Sequence, residues 1–366
     1  MKETQFKKMH EEKGGKMVEF AGFCLPVQFE GLVAEHLHVR SKVGVFDVSH
    51  MGEFTVKGAQ ALPFLQYITS NDVAALQPGK VQYSCFPNGK GGIVDDFLVY
   101  CMAENDYLLV VNAANIEKDW AWVTEQNQRF CAEIENISDE ISQLAVQGPL
   151  ALKAMQKLTD TPVEDMEYYT VKTLTFAGVP NVKFSTTGYT GAGGCEIYMK
   201  NKDAEKIWNA VFEAGKEFEI KPIGLAARDT LRLEMGFCLY GHEIDDTITP
   251  IEAGLGWITK FVDHKDFIDK DRMLKMKEEG LKRKLIGFEM IDRGIPRQDY
   301  EVCDADGNQI GLVRSGTQGP SINKAIGTAW IKTEFSKLDT EIFIKVRDKL
   351  LKAIVVKMPF YKPILS

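Results

Sequence analysis

Val81-Gln-Tyr-Ser-Cys-Phe86, Pro87-Asn-Gly-Lys-Gly-Gly92 and Ile93-Val-Asp-Asp-Phe-Leu-Val-Tyr-Cys101, then a polar Ala-Glu-Asn-Asp turn and Tyr107-Leu-Leu-Val-Val111, read as a β meander. Asn88-Gly89 is a strong hairpin signal, because both residues tolerate positive φ. Outward from it, residues 17–20, 45–48 and 51–57 read as strands, and 31–42 and 59–68 as helices. Downstream, 116–126 is helical, strands fall near 131–137 and 141–146, and Pro149 suits the first turn of a helix. Residues 171–199 are β-rich and broken by glycine turns; 204–218 and 225–235 are helical. Strands come in runs and do not alternate strictly with helices, so the pattern predicts an α+β fold.

Residues 270–284 carry seven basic and three acidic side chains in a helical pattern and read as a linker or surface helix. Beyond them, 285–360 holds short strands about every ten residues between Gly, Pro and Asp turns, the pattern of a small antiparallel barrel or sandwich. No internal repeat or low-complexity segment interrupts the chain.

The 366 residues predict two or three domains, and 45% hydrophobic with 26% charged residues is the balance of a globular protein. A net charge of -8 and a pI near 5.5 argue against a dedicated nucleic-acid or anionic-membrane binder. The acidity is uneven: from Leu285 onward 12 Lys and Arg face 10 Asp and Glu. Seven cysteines, an odd number without a C-x-x-C pair, suggest neither a disulfide framework nor a zinc knuckle and fit a reducing compartment. Residues 1–16 are polar, with no apolar signal core and too much glutamate for a transit peptide. No apolar run approaches the ~18 residues of a membrane span. The expected location is the cytoplasm, or a mitochondrial matrix after removal of a presequence.

Asp95 and Asp96 lie in the middle of a strand, where aspartate is depleted. Alternation sends them to opposite faces, Asp95 with Ile93 and Phe97, Asp96 with Val94 and Leu98. At most one face is freely solvated, so one carboxylate lines a partly apolar site and can bind a ligand or move a proton. An edge strand with both acids wet is the alternative. Thr187-Gly-Tyr-Thr-Gly-Ala-Gly-Gly-Cys-Glu196-Ile-Tyr198 is a glycine-dense loop between strands. It lets backbone approach a planar ligand, with Tyr189 stacking and Glu196 accepting ring N–H groups; a tight β turn is the plainer reading. Arg228 and Arg232 stand one helical turn apart. Arg228 can clamp a carboxylate or carbonyl, whereas a surface ion pair with Asp229 or Glu234 is the commoner outcome. His36, His38, His50 and His242 make no recognised metal spacing, and neither H-E-x-x-H nor G-x-S-x-G occurs.

Taken in order, these blocks resemble one family along nearly the whole chain. Gly14 to Gln28, Val45-Phe-Asp-Val-Ser-His-Met51 and Gly91-Gly-Ile-Val-Asp-Asp96 are similar to blocks of the glycine cleavage T-protein family. So are Gly188-Tyr-Thr-Gly191 with Glu196, Gly224-Leu-Ala-Ala-Arg-Asp229 and Leu231-Arg-Leu-Glu-Met-Gly236. Leu239-Tyr-Gly-His-Glu-Ile-Asp245, the Pro250 to Trp257 block, Gly311-Leu-Val-Arg-Ser-Gly-Thr317 and Met358-Pro-Phe360 complete the resemblance. Gly193-Gly194 replaces a commoner acidic-glycine pair.

The resemblance implies two interleaved antiparallel-sheet α/β domains, roughly 1–50 with 138–240 and 51–137 with 241–280, forming a folate-binding region over 1–280. A C-terminal β-barrel over 281–366 completes an arrangement around a central folate site. It implies transfer of an aminomethyl carbon from the lipoyl arm of H-protein to tetrahydrofolate, with tetrahydrofolate as cosubstrate, no metal, and a monomeric state. Asp96 matches the family's catalytic carboxylate. Glu196 and Arg228 match its pterin contacts, and Tyr83, Asn112 and Tyr189 are wall residues. H-protein is expected to meet Arg297, with Arg293 and Arg314 nearby. Two alternatives share the fold: the folate domain of a sarcosine or dimethylglycine dehydrogenase, which would carry a flavin domain, and a non-catalytic folate-binding protein of iron–sulfur assembly. The signature lysine-glycine-cysteine loop of the latter is absent here.

Overall fold

The computed structural model describes residues 1–363. The chain begins β1 (Lys2–Glu3), α1 (Lys7–Glu12), β2 (Lys16–Phe20), β3 (Phe23–Gln28), α2 (Leu32–Ser41), β4 (Gly44–Asp47), β5 (Gly52–Lys57) and α3 (Ala61–Ile68). Next come β6 (Val81–Pro87), β7 (Ile93–Ala103), β8 (Asp106–Val111), α4 (Ile116–Asn127), β9 (Glu133–Asn136), β10 (Ile141–Gln147) and α5 (Ala151–Gln156). Then follow β11 (Val171–Phe176), β12 (Val179–Ser185), β13 (Gly194–Lys200), α6 (Ala204–Gly215), β14 (Lys221–Pro222), α7 (Leu225–Glu234) and α8 (Lys270–Glu279). The last strands are β15 (Arg283–Met290), β16 (Glu301–Cys303), β17 (Gln309–Gly319), β18 (Lys324–Lys332), β19 (Glu341–Val346) and β20 (Lys349–Val356). No helix among the described residues is long and apolar enough to cross a membrane.

Two compact units share the chain. The first takes residues 1–66, 73–84 and 97–229; the second takes 67–72, 85–96 and everything from 230. In the first, a six-stranded sheet has the order β11-β12-β13-β10-β4-β14; a five-stranded sheet, β6-β7-β8-β5-β9, has most of its residues there, while residues 85–87 of β6 and 93–96 of β7 count with the second. A small sheet, β1-β3-β2, flanks them. Helix α6 shows why the core forms: Ala204, Ile207, Trp208, Val211 and Ala214 recur at helical spacing and are buried. They pack with Phe6, Val146, Phe176 and Phe184 over one face of the six-stranded sheet. The other apolar cluster joins Tyr100, Leu108 and Val110 of the five-stranded sheet to Val171 and Tyr198 of the six-stranded one.

The second unit is built on a closed barrel, β15-β18-β17-β16-β19-β20, filled by Phe288, Val302, Val313, Ile331, Ile344 and Val355. Closure decides between barrel and sandwich, and its strands are longer than their spacing in sequence suggests: β17 has 11 residues. Arg283 and Lys284 belong to the first barrel strand, not to the preceding helix, because Arg283 pairs with Lys332 and Lys284 with Ile331. The residue 81–111 meander is present, but its turn closes differently from expectation. Gly89 and Gly91 take positive φ, whereas Asn88 acts through its side chain, Oδ1 accepting from Lys90 N at 2.8 Å and Gly92 N at 2.9 Å. Gly92 is required: a Cβ there would sit 1.8 Å from the Asp246 carbonyl. The polar N-terminus, given no element in the sequence reading, forms α1 because Phe6 and His10 are buried against Trp208.

Candidate functional site

Glu196 sits on β13 at the middle of the six-stranded sheet, opposite Ala145 on one side and Ser185 on the other. Two residues along, Tyr198 stands opposite Gln143 and Lys183 and so shares its face. Gln143 Nε2 donates to Glu196 Oε1 at 3.1 Å, and the Thr187 hydroxyl donates to Oε2. The half-buried carboxylate lines a pocket with Phe46, Val48, Ala145, Gln147, Tyr189, Thr190 and Arg228. Burial raises its pKa, opposed by Thr187, Arg228 and Gln143. Each oxygen keeps further acceptor capacity, so the group can take N–H donors from a planar ligand.

The loop before Glu196 is more than a tight turn. Gln147 Nε2 donates to the carbonyls of Thr187 (3.1 Å) and Cys195 (3.2 Å), and Gln147 Oε1 accepts from Thr190 Oγ1 at 2.8 Å. Gly188 permits that contact, since a Cβ would lie 2.0 Å from Gln147 Oε1. The pinned loop presents the Tyr189 ring, and the Arg228 guanidinium rests 4.6 Å from its centroid. Tyr189 and Glu196, from one segment, therefore meet the more distant Arg228 in one pocket.

Arg232, one helical turn beyond Arg228, is enclosed. Only 1% exposed, it lies in the second unit and donates to Glu243 Oε2 (2.9 Å), Ser315 Oγ (2.9 Å) and the Phe237 carbonyl (3.2 Å). Glu234 is also fully buried and accepts from Ser321 N at 2.8 Å.

Sequence reasoning missed the parts played by Gln143 and Thr187. Gln143 and Glu196 are 53 residues apart and meet only through strand register, a signal the sequence does not carry. Thr187 ends a hydroxyl chain: Ser185 Oγ lies 2.6 Å from Thr187 Oγ1, and Tyr100 OH lies 3.3 Å from Thr187 Oγ1 and 2.7 Å from Tyr198 OH. His50 is buried against Phe20 and Phe23. Burial and Arg228 lower its pKa to about 3, so it is a neutral imidazole.

Tyr83 is half-buried on β6 and Asn112 follows β8; both belong to the first unit, and neither lines the Glu196 pocket. Asp95 and Asp96 belong to the second unit, and the edge-strand alternative fails. Strand β7 lies between β6 and β8, and the two acids are 0% and 9% exposed. Burial raises the Cys85 thiol to about 12 and Cys238 well above the usual thiol range, Asp96 contributing to both. Arg297 is exposed. Arg314 is not available to a partner: it is buried and donates to Asp299 (3.1 Å) and the carbonyls of Gly241 and His242. Among the described residues no group of three or more His, Cys, Asp or Glu is placed to hold a metal ion.

The GCVT N-terminal domain family model matches residues 6–263, and that of the glycine cleavage T-protein C-terminal barrel domain matches 283–362. The chain is 61% identical to an aminomethyltransferase of Bacteroides fragilis, over 99% of this chain and 100% of that protein. It is 48% identical to one of Clostridium botulinum, over 99% and 97%. The crystal structure of glycine cleavage system aminomethyltransferase T from Bartonella henselae matches with a TM-score of 0.92 at 30% identity, covering 99% of this chain and 98% of that one.

Proposed function

The chain belongs to the glycine cleavage T-protein family, and from that premise we propose that the Tyr189, Glu196 and Arg228 pocket binds the pterin of tetrahydrofolate. The enzyme is an aminomethyltransferase, a tetrahydrofolate-dependent transferase of glycine cleavage. In the reaction we propose, a methylene carbon leaves the sulfur of the lipoyl arm of H-protein. Its nitrogen departs as ammonia, and two folate nitrogens take the carbon, giving 5,10-methylenetetrahydrofolate and reduced lipoyl. The chain's own work is to bind, orient, exclude water and place a carboxylate where a proton moves. Asp96 is the residue we assign to that last task, with Tyr83 and Asn112 as further folate contacts. In the same reading, residues 1–280 form the folate region and residues from 281 the barrel domain. Unpaired cysteines throughout the described chain favour the cytoplasm.

The observation that carries this reading is Glu196 in its pocket, supplied with donors on one side and a cation on the other. A carboxylate matches adjacent pterin N–H groups, and a hydrogen bond to a charged group contributes about 1.5–3 kcal/mol. Glu196→Ala should therefore weaken tetrahydrofolate binding by at least about tenfold, with the fold intact. Unchanged affinity in calorimetry would remove Glu196 from the site. Because burial raises its pKa, acidification protonates Glu196 before an ordinary carboxylate, and folate affinity should fall in step.

Arg297, with Arg293 beside it on the β15–β16 connection, is exposed and is our contact for an acidic H-protein. Exposed charges steer association and are screened by salt. The association rate should fall with ionic strength in the wild type and fall less steeply in Arg297→Ala. A rate flat with salt would refute the steering.

A further inference from the structure

Glu53, on β5, is 1% exposed, and neither of its carboxyl oxygens has a hydrogen-bond partner. Its backbone is satisfied: the N–H donates to Ser138 Oγ at 2.9 Å, and the carbonyl accepts from Ile137 N at 2.9 Å. A buried carboxyl without a partner is destabilising, and an apolar side chain would fill the position without that penalty.

Register gives the direction of the side chain. Glu53 pairs with Val110, which pairs with Leu98; two residues on, Thr55 pairs with Leu108, which pairs with Tyr100. Directly paired residues share a face. Glu53 thus lies on the face of Tyr100, Leu108 and Val110, which packs against Tyr198 of the six-stranded sheet. There Tyr198 is flanked by Gln143 and Lys183. Gln143 is 1% exposed; its Nε2 donates to Glu196, while its Oε1 has no partner. An acid and an amide oxygen, both buried and both unpartnered, come from two sheets packed on one another. The other end of that amide holds the pocket carboxylate.

The charged and titratable groups around Glu53 are Lys183, Glu196 and Tyr198 from the six-stranded sheet and Tyr100 from its own. No ion pair joins Glu53 to Lys183 among the described residues. Burial pushes the Glu53 carboxyl well above its usual range; Lys183 opposes the shift and Glu196 adds to it. In its protonated form the group is a donor; ionised, it can only accept.

We propose that Glu53 is a positioning residue of the pterin pocket, donating as a carboxylic acid through one bound water to Gln143 Oε1 and so holding Gln143 Nε2 on Glu196. The proposal rests on Glu196 being the pterin carboxylate. Its physical content is the choice between the two orientations of an amide. A donor behind Gln143 can be met only by Oε1, so Nε2 faces Glu196. With that donor removed, the amide is free to turn its oxygen toward the carboxylate, which repels it and favours the protonated form of Glu196. A carboxylate that takes up a proton loses acceptor capacity for ligand N–H groups.

The test compares Glu53→Gln, which keeps a donor of the same shape, with Glu53→Met, which keeps volume and deletes polarity. Glu53→Gln should bind tetrahydrofolate within about twofold of wild type, and Glu53→Met about tenfold more weakly, the size of one lost hydrogen bond. The melting temperature of the methionine variant should equal or exceed that of wild type, because a buried acid has been removed. The acid limb of the pH profile of folate binding should move upward in Glu53→Met and return in Glu53→Gln. The infrared C=O stretch of a protonated carboxyl should be present in the native enzyme at pH 7 and lost in Glu53→Gln; its absence from the native enzyme, meaning an ionised Glu53, would overturn the proposal. Should the methionine variant not fold, Glu53→Leu takes its place beside the native spectrum. Wild-type folate affinity in Glu53→Met, alongside weakened binding in Glu196→Ala, overturns the role of Glu53 alone. Unchanged affinity in Glu196→Ala overturns the pocket assignment and the Glu53 proposal with it.

Discussion

Asp96→Asn is expected to lower turnover by about 10²–10⁴-fold, the usual contribution of a positioned acid or base. Strand β7 alternates Asp95 with Ile93 and Phe97, and Asp96 with Val94 and Leu98, so the acids cannot serve one site together. Asp95 is 0% exposed and Asp96 9%, and of the two it is Asp96 to which we assign the proton-handling task. The amide keeps the size of the carboxyl group, and the melting temperature of Asp96→Asn should stay near that of wild type, with folate affinity changed only modestly. Asp95→Asn should act on stability and leave the chemistry of the folded enzyme alone. Single-turnover measurement with aminomethylated H-protein and tetrahydrofolate separates chemistry from binding. If Asp95→Asn abolishes turnover in a folded enzyme while Asp96→Asn retains it, the two assignments must be exchanged.

Arg232→Met should destabilise the second unit by about 3–5 kcal/mol, the cost of breaking a buried ion pair from one side. Arg232 and Glu243 are each 1% exposed and 2.9 Å apart, and Thr328 and the Leu239 N–H also bind the Glu243 carboxylate. Burial pushes the Glu243 pKa up; Arg232, Ser315 and Thr328 more than offset it, leaving the pKa below the usual carboxylate range. In the native enzyme this depressed pKa contributes stability above the unfolded value of ~4.3 that is lost as pH falls through the folded one. Without Arg232, burial dominates and the Glu243 pKa rises. The folded variant then binds more protons than its unfolded chain, and its stability increases as pH falls from 7 to 5. Denaturant titrations at the two pH values should show a smaller gap from wild type at pH 5, and Arg232→Met with Glu243→Leu should recover most of the loss. A single-variant loss below ~1 kcal/mol, typical of exposed pairs, would show that the pair is not a stabilising buried unit.

Strand pairing local to a turn was legible because its causes are local. The residue 81–111 meander, the apolar stripe of α6 and the helix around Arg228 follow from alternation, helical spacing and turn residues over a few positions. Blocks such as Gly188-Tyr-Thr-Gly191 and Gly224 to Asp229 carried the family, and with it the activity. What tertiary structure alone decided depends on long-range register. Closure of the barrel requires β15 to pair with both β18 and β20, a condition that no strand's own sequence contains. Burial of Arg232 depends on Glu243 and Ser315, which arrive from 11 and 83 residues away. Arg228 and Arg232 look alike on a helical wheel, yet one stacks on Tyr189 and the other is enclosed with a carboxylate. Gln143 gives no sequence signal, because a glutamine on a strand becomes informative only when its partner strand is known. Sequence fixes which side chains a strand or helix presents; packing fixes what each of them meets, and the charge state of a buried group depends on that meeting.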